Sequence, residues 1–286
     1  MNAWLETLMA GTLLGMLYAL FGLGLSLSLG VMRMINIAHG DLIVLAAYLG
    51  SVCTVALGLD PLTSLVVVIP AMFVIGWLLQ TLLLNRVVGR DAMSPLLLTF
   101  GLSIVLQNLL QEIFSADTRS LDAGTLSTQS LAIGSLSVGL LPVLIAAVSL
   151  VIYTLTFALI RKTQWGRQAR AVADDAETSR LVGIDDRVLF ALMTGFIFAV
   201  IAVAGIFYGI RTPFSPSAGP ERLLFAFEAV VLGGLGSVWG TFIGGLIIGI
   251  VQVFGAQIHT GLGPFFGHLV FLVVLIARPQ GLFSKG

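Results

Sequence analysis

The sequence predicts an all-α, polytopic transmembrane helical bundle of about eight spanning segments, and three observations carry that prediction. Only 10% of the 286 residues are charged and 58% are hydrophobic, with a mean hydropathy of +1.06. A soluble domain of ordinary composition carries about a quarter charged residues, so this balance excludes one. Apolar runs near twenty residues recur from end to end, each long enough to cross about 30 Å of hydrocarbon as a helix. Residues 1–286 therefore read as one integral membrane domain. The net charge of +0 supplies no basic tail for nucleic acid, and Cys53, the only cysteine, excludes an internal disulfide and a cysteine-based zinc site.

The first apolar segment, 5–30, follows MNAWLETLMAG, which carries Glu6 and no Lys or Arg. That is not a secretory leader, and the segment is expected to remain as a transmembrane helix. The stretch INIAHGDL, Ile35–Leu42, then interrupts the apolar pattern with Asn36, His39 and Asp41. A helix boundary explains it locally, because Asp41 would sit in the first turn of the next helix at the positive end of its dipole. A mostly apolar stretch makes a poor solvated loop, however, and 31–41 is also read as a break held inside the protein, where Asn36 and His39 could bond a polar cargo or brace helices. Segments 42–59, 62–84, 95–114, 139–160 and 188–209 follow, separated by a Ser/Thr/Gly-rich stretch at 115–138 and a charged one at 161–187. A Pro-rich loop, 210–224, leads to 225–257, which is too long for one simple span. Gly233, Gly234 and Gly236, then Ser237 and Gly240, divide it into 225–236 and 239–257, a second break near 233–240 of the kind found where transporters bind or gate. The last segment is 264–278.

Basic residues set the orientation. With the N-terminus outside and 225–257 crossing as two pieces, Arg33, Arg86, Arg90, Arg161, Lys162, Arg167, Arg170, Arg180, Arg187, Arg278 and Lys285 lie inside, 11 of the 14 basic residues. A single crossing would move the C-terminus outside and reduce the tally to 9 against 5.

Chemistry-bearing motifs are few. The small-xxx-small pairs Gly11/Gly15, Gly205/Gly209, Gly240/Gly244 and Gly245/Gly249 bring helix backbones close. The inside loop 161–187 holds six basic and five acidic residues. Its Ala-rich stretch from Arg167 to Leu181 lacks Gly and Pro, which predicts one short helix over 167–182, stopped by Gly183. Ala169, Val172, Ala173 and Ala176 fall on one face, suited to a cleft in a soluble partner; a solvated loop obeying the positive-inside rule fits the composition as well. There is no G-x-x-x-x-G-K-[ST], so the chain has no P-loop of its own, and His39, His259 and His268 lack metal-ligand spacing. Ser26 or Ser103 with His259 or His268 would be the only route to an intramembrane protease. Glu112 and Glu228 lie near segment ends. The scarcity of intramembrane acids speaks against a proton- or sodium-coupled carrier and for energy supplied by a partner acting on 161–187.

Four stretches in fixed order, RMINIAHGDLIVLAAY, WGRQARAVADDAETSRLVGI, AVIAVAGIFYG and EAVVLGGLGSVWGTFIGGLIIGIVQ, resemble the inner-membrane permease subunits of branched-chain amino acid ABC importers, specifically the LivH-like member of the pair. The likeness covers essentially the whole chain, and the pattern G-R-x-x-R-A-x-A-x-D-x-x-x-x-x-x-x-G-I from Gly166 to Ile184 is its most specific part.

The resemblance implies a multi-pass protein of the bacterial inner membrane, paired with a second, LivM-like permease. Two cytoplasmic ATPase subunits would bind ATP and magnesium, this chain holding no cofactor or metal, and a periplasmic or extracellular binding protein would deliver substrate. Gly166, Arg167, Arg170, Ala171, Asp174, Gly183 and Ile184 then belong to a coupling helix, and Asn36, His39, Asp41, Gly233, Gly234 and Gly236 to the substrate pathway. Permeases of urea and short-chain amides are similar; the absence of a long N-terminal extension favours amino acids. An ion-coupled carrier or channel is the rival from another class, and neighbouring ATPase and binding-protein genes would discriminate against it.

Overall fold

The computed structural model describes residues 2–89, 93–133 and 136–283, so the expectations placed on Arg90 and Lys285 lie outside the described residues. Its helices follow the apolar segments. α1 (Asn2–Met32), α2 (His39–Leu57), α3 (Pro61–Leu82) and α4 (Met93–Phe114) are followed by a single turn, α5 (Thr125–Thr128), and a hairpin, β1 (Ser130–Ile133) with β2 (Leu136–Gly139). Then come α6 (Leu140–Lys162), α7 (Gln164–Asp174), α8 (Ala176–Leu181), α9 (Asp186–Arg211), α10 (Gly219–Gly233), α11 (Val238–Ile258) and α12 (Gly263–Ala277). Among the described residues, eight helices are long and apolar enough to cross a membrane. The hairpin had no counterpart in the expected Ser/Thr-rich loop.

α1 and α9 form the centre. Four-fifths of the apolar window of α9 is buried (83%), against 11% for the window ending at Ala277 in α12. The glycine pairs do what their spacing predicts: Gly11 and Gly15 of α1 face Gly249, Ile250 and Leu246 of α11, and a β-carbon on Gly249 would lie 2.2 Å from the Gly15 nitrogen. These two helices meet backbone to backbone.

The expected division of 225–257 is present. α10 stops at Gly233, Gly234 and Gly236 take positive φ (98° and 76°), and α11 starts at Val238, capped by Ser237 Oγ accepting from the Gly240 N–H at 3.1 Å. With 15 residues, α10 is about 22 Å long, short of a full span. The turn abuts Gly30 near the end of α1, and the Leu282 N–H donates to the Leu232 carbonyl at 2.8 Å. The C-terminal segment thus returns to the end of the bundle where α1 finishes. Arg33 and Arg180 line one cavity at that end, and Asn85 bonds the Arg187 carbonyl. At the opposite end Arg119 pairs with Phe214 and Leu121 with Gly209. Two ends, one rich in basic loops, match the orientation derived from Lys and Arg.

Candidate functional site

The break at 31–41 runs back up the bundle. Ser28 Oγ donates to the Met34 carbonyl at 3.1 Å, and His39 Nε2 lies 2.8 Å from the Phe21 carbonyl. Between those two contacts α1 rises seven residues, about 10 Å, so Met34–His39 climbs antiparallel to α1. α2 therefore starts level with Phe21, about 16 Å above the end of α1 at Met32. Asn36, His39 and Asp41 are 5%, 1% and 1% exposed. The stretch is a re-entrant piece inside the protein. Irregular backbone at such a depth must have its polar groups satisfied internally: the Ala38 N–H donates to Asn36 Oδ1 at 3.0 Å and the Ile37 N–H to Thr99 Oγ1 at 3.1 Å.

Each expected pathway residue has a definite placement. Asn36 organises the turn into α2. A carbonyl can only accept, so the His39 Nε2 carries the proton, and the ring braces α2 against α1. Asp41 lies in the first turn of α2; its Oδ2 accepts from Ser103 Oγ of α4 at 2.5 Å, and Gln107 Nε2 donates to that hydroxyl at 3.1 Å. Its Oδ1 is buried with no hydrogen-bond partner. None of the ion pairs among the described residues includes Asp41. Gly40 and Gly219 make this arrangement possible: a β-carbon on Gly40 would lie 1.9 Å from the Gly219 carbonyl oxygen, and one on Gly219 would lie 1.9 Å from Asp41 Oδ1. The N-termini of α2 and α10 thus converge on one carboxylate, where both dipoles favour negative charge.

The structure separates the second expected cluster from the first. Gly233, Gly234 and Gly236 sit at the far end of α10 from Gly219, about 21 Å along the helix. They form the turn against Gly30, and α10 runs from them to Gly219 beside Asp41.

The inside loop differs from the single helix expected over 167–182. Asp175 takes an extended conformation (φ −150°, ψ 103°) and splits it into α7 and α8, its carboxylate accepting from the Glu177 and Thr178 N–H groups and from the Thr178 hydroxyl. These bonds hold the Asp175 carboxyl below the usual carboxylate range, the Thr178 hydroxyl first among them. Asp175, rather than Asp174, is therefore the acid that shapes the loop. The small apolar face is also turned the other way. Ala169 and Val172 are buried at 0% and 4% against the chain's own bundle, with Gly166 pressed on Ile160 and Trp165 edge-on to Phe196. Arg170 bonds the Ile160 carbonyl at the end of α6. Outward-facing are Arg167, Ala171, Asp174, Gly183 at φ 88°, and above all Leu181 and Val182, exposed at 87% and 74%. Ile184 is half-buried, its N–H on the Ser179 carbonyl at 3.1 Å. Arg180, paired with Asp186 at 2.6 Å, has its guanidinium pKa raised by that bond. A cavity of about 340 Å³ between Arg33, Gly89, Val172, Asp174 and Arg180 separates this loop from the end of α1.

Two features escaped sequence reasoning. Glu228 is not near a segment end: it lies in the middle of α10, 1% exposed, with Oε1 2.5 Å from His268 Nδ1 of α12. Ser103 and Gln107 join Asp41 to α4, a link that no spacing within one segment reveals. With His268 on Glu228, Ser103 on Asp41 and His259 bonded to the Gly261 N–H at 3.3 Å, no serine–histidine pair of a protease forms.

The chain matches the family described as branched-chain amino acid transport system/permease component over residues 7–278. It is 28% identical to the high-affinity branched-chain amino acid transport system permease protein BraD of Pseudomonas aeruginosa, covering 99% of this chain and 96% of that protein. The same figures hold for LivH of Escherichia coli. A fructose import permease protein of Rhizobium meliloti, FrcC, is 29% identical over 85% of this chain and 69% of its own length. No solved structure matches. With eight membrane-crossing helices and a family match running almost end to end, the chain belongs to the branched-chain amino acid transport system permease family.

Proposed function

We propose that this chain is the membrane-spanning permease subunit of an ATP-driven importer for branched-chain amino acids, acting as a single domain in the bacterial inner membrane. The observation that carries this reading is the match to the family over 7–278, joined to relatives named for branched-chain amino acids over 99% of the chain. Those names favour amino acids over urea and amides. ATP and magnesium would be bound by two cytoplasmic ATPase subunits, a second LivM-like permease would complete the membrane unit, and an external binding protein would present substrate.

In this reading the ATPases press on α7–α8. Leu181 and Val182, two exposed aliphatic side chains on a polar surface, are the natural plug for an apolar socket in the ATPase. Arg167 and Asp174 are exposed on α7 of the same loop. Gly166 and Arg170 tie the loop to the end of α6, and Gly183 and Ile184 tie it to α9, so a displacement of α7–α8 reaches both spans. The substrate pathway passes the re-entrant piece at Asn36, His39 and Asp41, while the turn at Gly233, Gly234 and Gly236 serves its inner end. Affinity purification through a tag on this chain tests the assembly: a second permease and two ATPases should be retained, and isolation as a homo-oligomer without ATPase overturns it.

A further inference from the structure

We propose that Asp41 is the acceptor for the ammonium group of the transported amino acid, reached along one flank of α4 through Gln107 and Ser103. The proposal rests on the permease reading and adds the contact that selects the substrate's charge.

Two independent observations carry it. The first is the carboxylate itself. Asp41 is 1% exposed, one oxygen is held by Ser103, and the other has no donor and no cation among the described residues. An unpartnered buried carboxylate oxygen is costly, and a ligand bearing N–H donors and positive charge removes that cost. The second is the asymmetry of α4. At 100° per residue, Ser103, Gln107 and Gln111 stack in one row with Asn108 to one side of it, Glu112 lies at the edge of that flank, and the opposite flank carries Leu98, Leu102, Val105, Leu109 and Ile113. Asn108, Gln111 and Glu112 are exposed and Gln107 half-buried. The aliphatic flank suits lipid; four polar side chains in two turns of a membrane helix suit water or a polar cargo. The polar row descends from Gln111, through Gln107, to Ser103 and the Asp41 carboxylate. A neutral amide or sugar has no positive charge to place there. An α-amino acid does.

The test uses the importer assembled from this chain, its partner permease, its ATPases and its binding protein in proteoliposomes. Asp41→Asn keeps the shape and removes the charge; leucine uptake should fall about tenfold or more, the loss of one charged hydrogen bond, while ATP hydrolysis stimulated by the loaded binding protein persists. Uptake at the wild-type rate and KM overturns the assignment. A second arm does not depend on Asp41→Asn assembling. Gln107→Cys in a Cys53→Ser background leaves one thiol in this chain, which a water-soluble methanethiosulfonate should modify, read on this chain after separation from its partners. Leucine should slow that reaction, and 4-methylpentanoate, the same skeleton and carboxylate without the ammonium, should not. Equal protection by both, protection by neither, or an unreactive thiol overturns the proposal. A wild-type complex that imports no amino acid sinks the permease reading and this inference together; one that imports leucine with an indifferent Asp41→Asn sinks the inference alone.

Discussion

Asn36, His39 and Asp41 stand within six residues of one another, yet the structure gives them unequal work. Asn36 Oδ1 accepts from the Ala38 N–H and His39 Nε2 meets the Phe21 carbonyl, whereas Asp41 keeps a buried oxygen without a hydrogen-bond partner. Replacing His39 with Phe removes the brace while keeping a flat ring of similar size, at a cost of about 1 kcal/mol. Gly40→Ala drives a methyl into the Gly219 carbonyl 1.9 Å away, and such overpacking costs about 1–3 kcal/mol. Thermal melting in detergent should therefore rank Gly40→Ala below His39→Phe, and both below the wild type. The reverse order would mean that α2 and α10 do not touch as described. The sequence made the three polar residues conspicuous because nearly everything around them is apolar. It could not rank them, since rank depends on Phe21, Ser103 and Gly219, which are 18, 62 and 178 residues away from His39, Asp41 and Asp41 respectively.

At the scale of the element, the inner loop is the instructive case. Its Ala content announces helix, but a capping acid in the middle competes with propagation, and Asp175 wins by bonding two N–H groups of α8 at once. Asp175→Ala should release that cap, seen as faster amide exchange at Glu177 and Thr178 and as weaker coupling of ATP hydrolysis to uptake. The sign of its pH dependence follows from the lowered pKa. The cap is fully present above the ordinary carboxyl range near pH 4 and is lost only as pH falls through the lower folded value. Between pH 6 and 8 exchange at these two amides should show no contribution from Asp175 titration. Replacing Arg167 and Asp174 together should uncouple hydrolysis from uptake while insertion into the membrane stays intact; normal uptake would remove them from the ATPase contact. Periodicity found the apolar stripe Ala169–Val172 correctly and misassigned its neighbour. A small apolar face on an amphipathic helix is equally suited to a partner or to its own protein, and only packing against Ile160 and Phe196 decides.

For the whole molecule, hydropathy was sufficient for the segment list and the Lys/Arg bias for the two ends, because each depends on composition averaged over many residues, while Gly233, Gly234 and Gly236 marked the break in 225–257. The β-hairpin and the Glu228–His268 pair were hidden for the opposite reason: each depends on partners brought together by folding. That pair makes a prediction at this scale. Glu228 is buried in α10 with Oε2 unpartnered, and among the described residues its side-chain partner is His268 on the sparsely covered α12. His268→Ala leaves a buried carboxyl oxygen without that contact, and an unsatisfied buried acceptor costs about 1–3 kcal/mol. Purified complex carrying it should lose α12 packing, read as faster protease cleavage near 259–263. Unchanged cleavage and Tm would show that α12 is held by other contacts.

The glycine seam between α1 and α11 has a mechanical meaning. At the Gly11/Gly15–Gly249 crossing backbone meets backbone, and no side chain there can change rotamer to let one helix slide past the other. The Gly11/Gly15–Gly249 crossing therefore behaves as a weld. An importer must change shape around its cargo, and this one has to bend somewhere other than its keel. Contacts closed by polar side chains, Asp41 with Ser103 on α4 and Glu228 with His268 on α12, are of the other kind: a rotamer change can open them without parting any backbone.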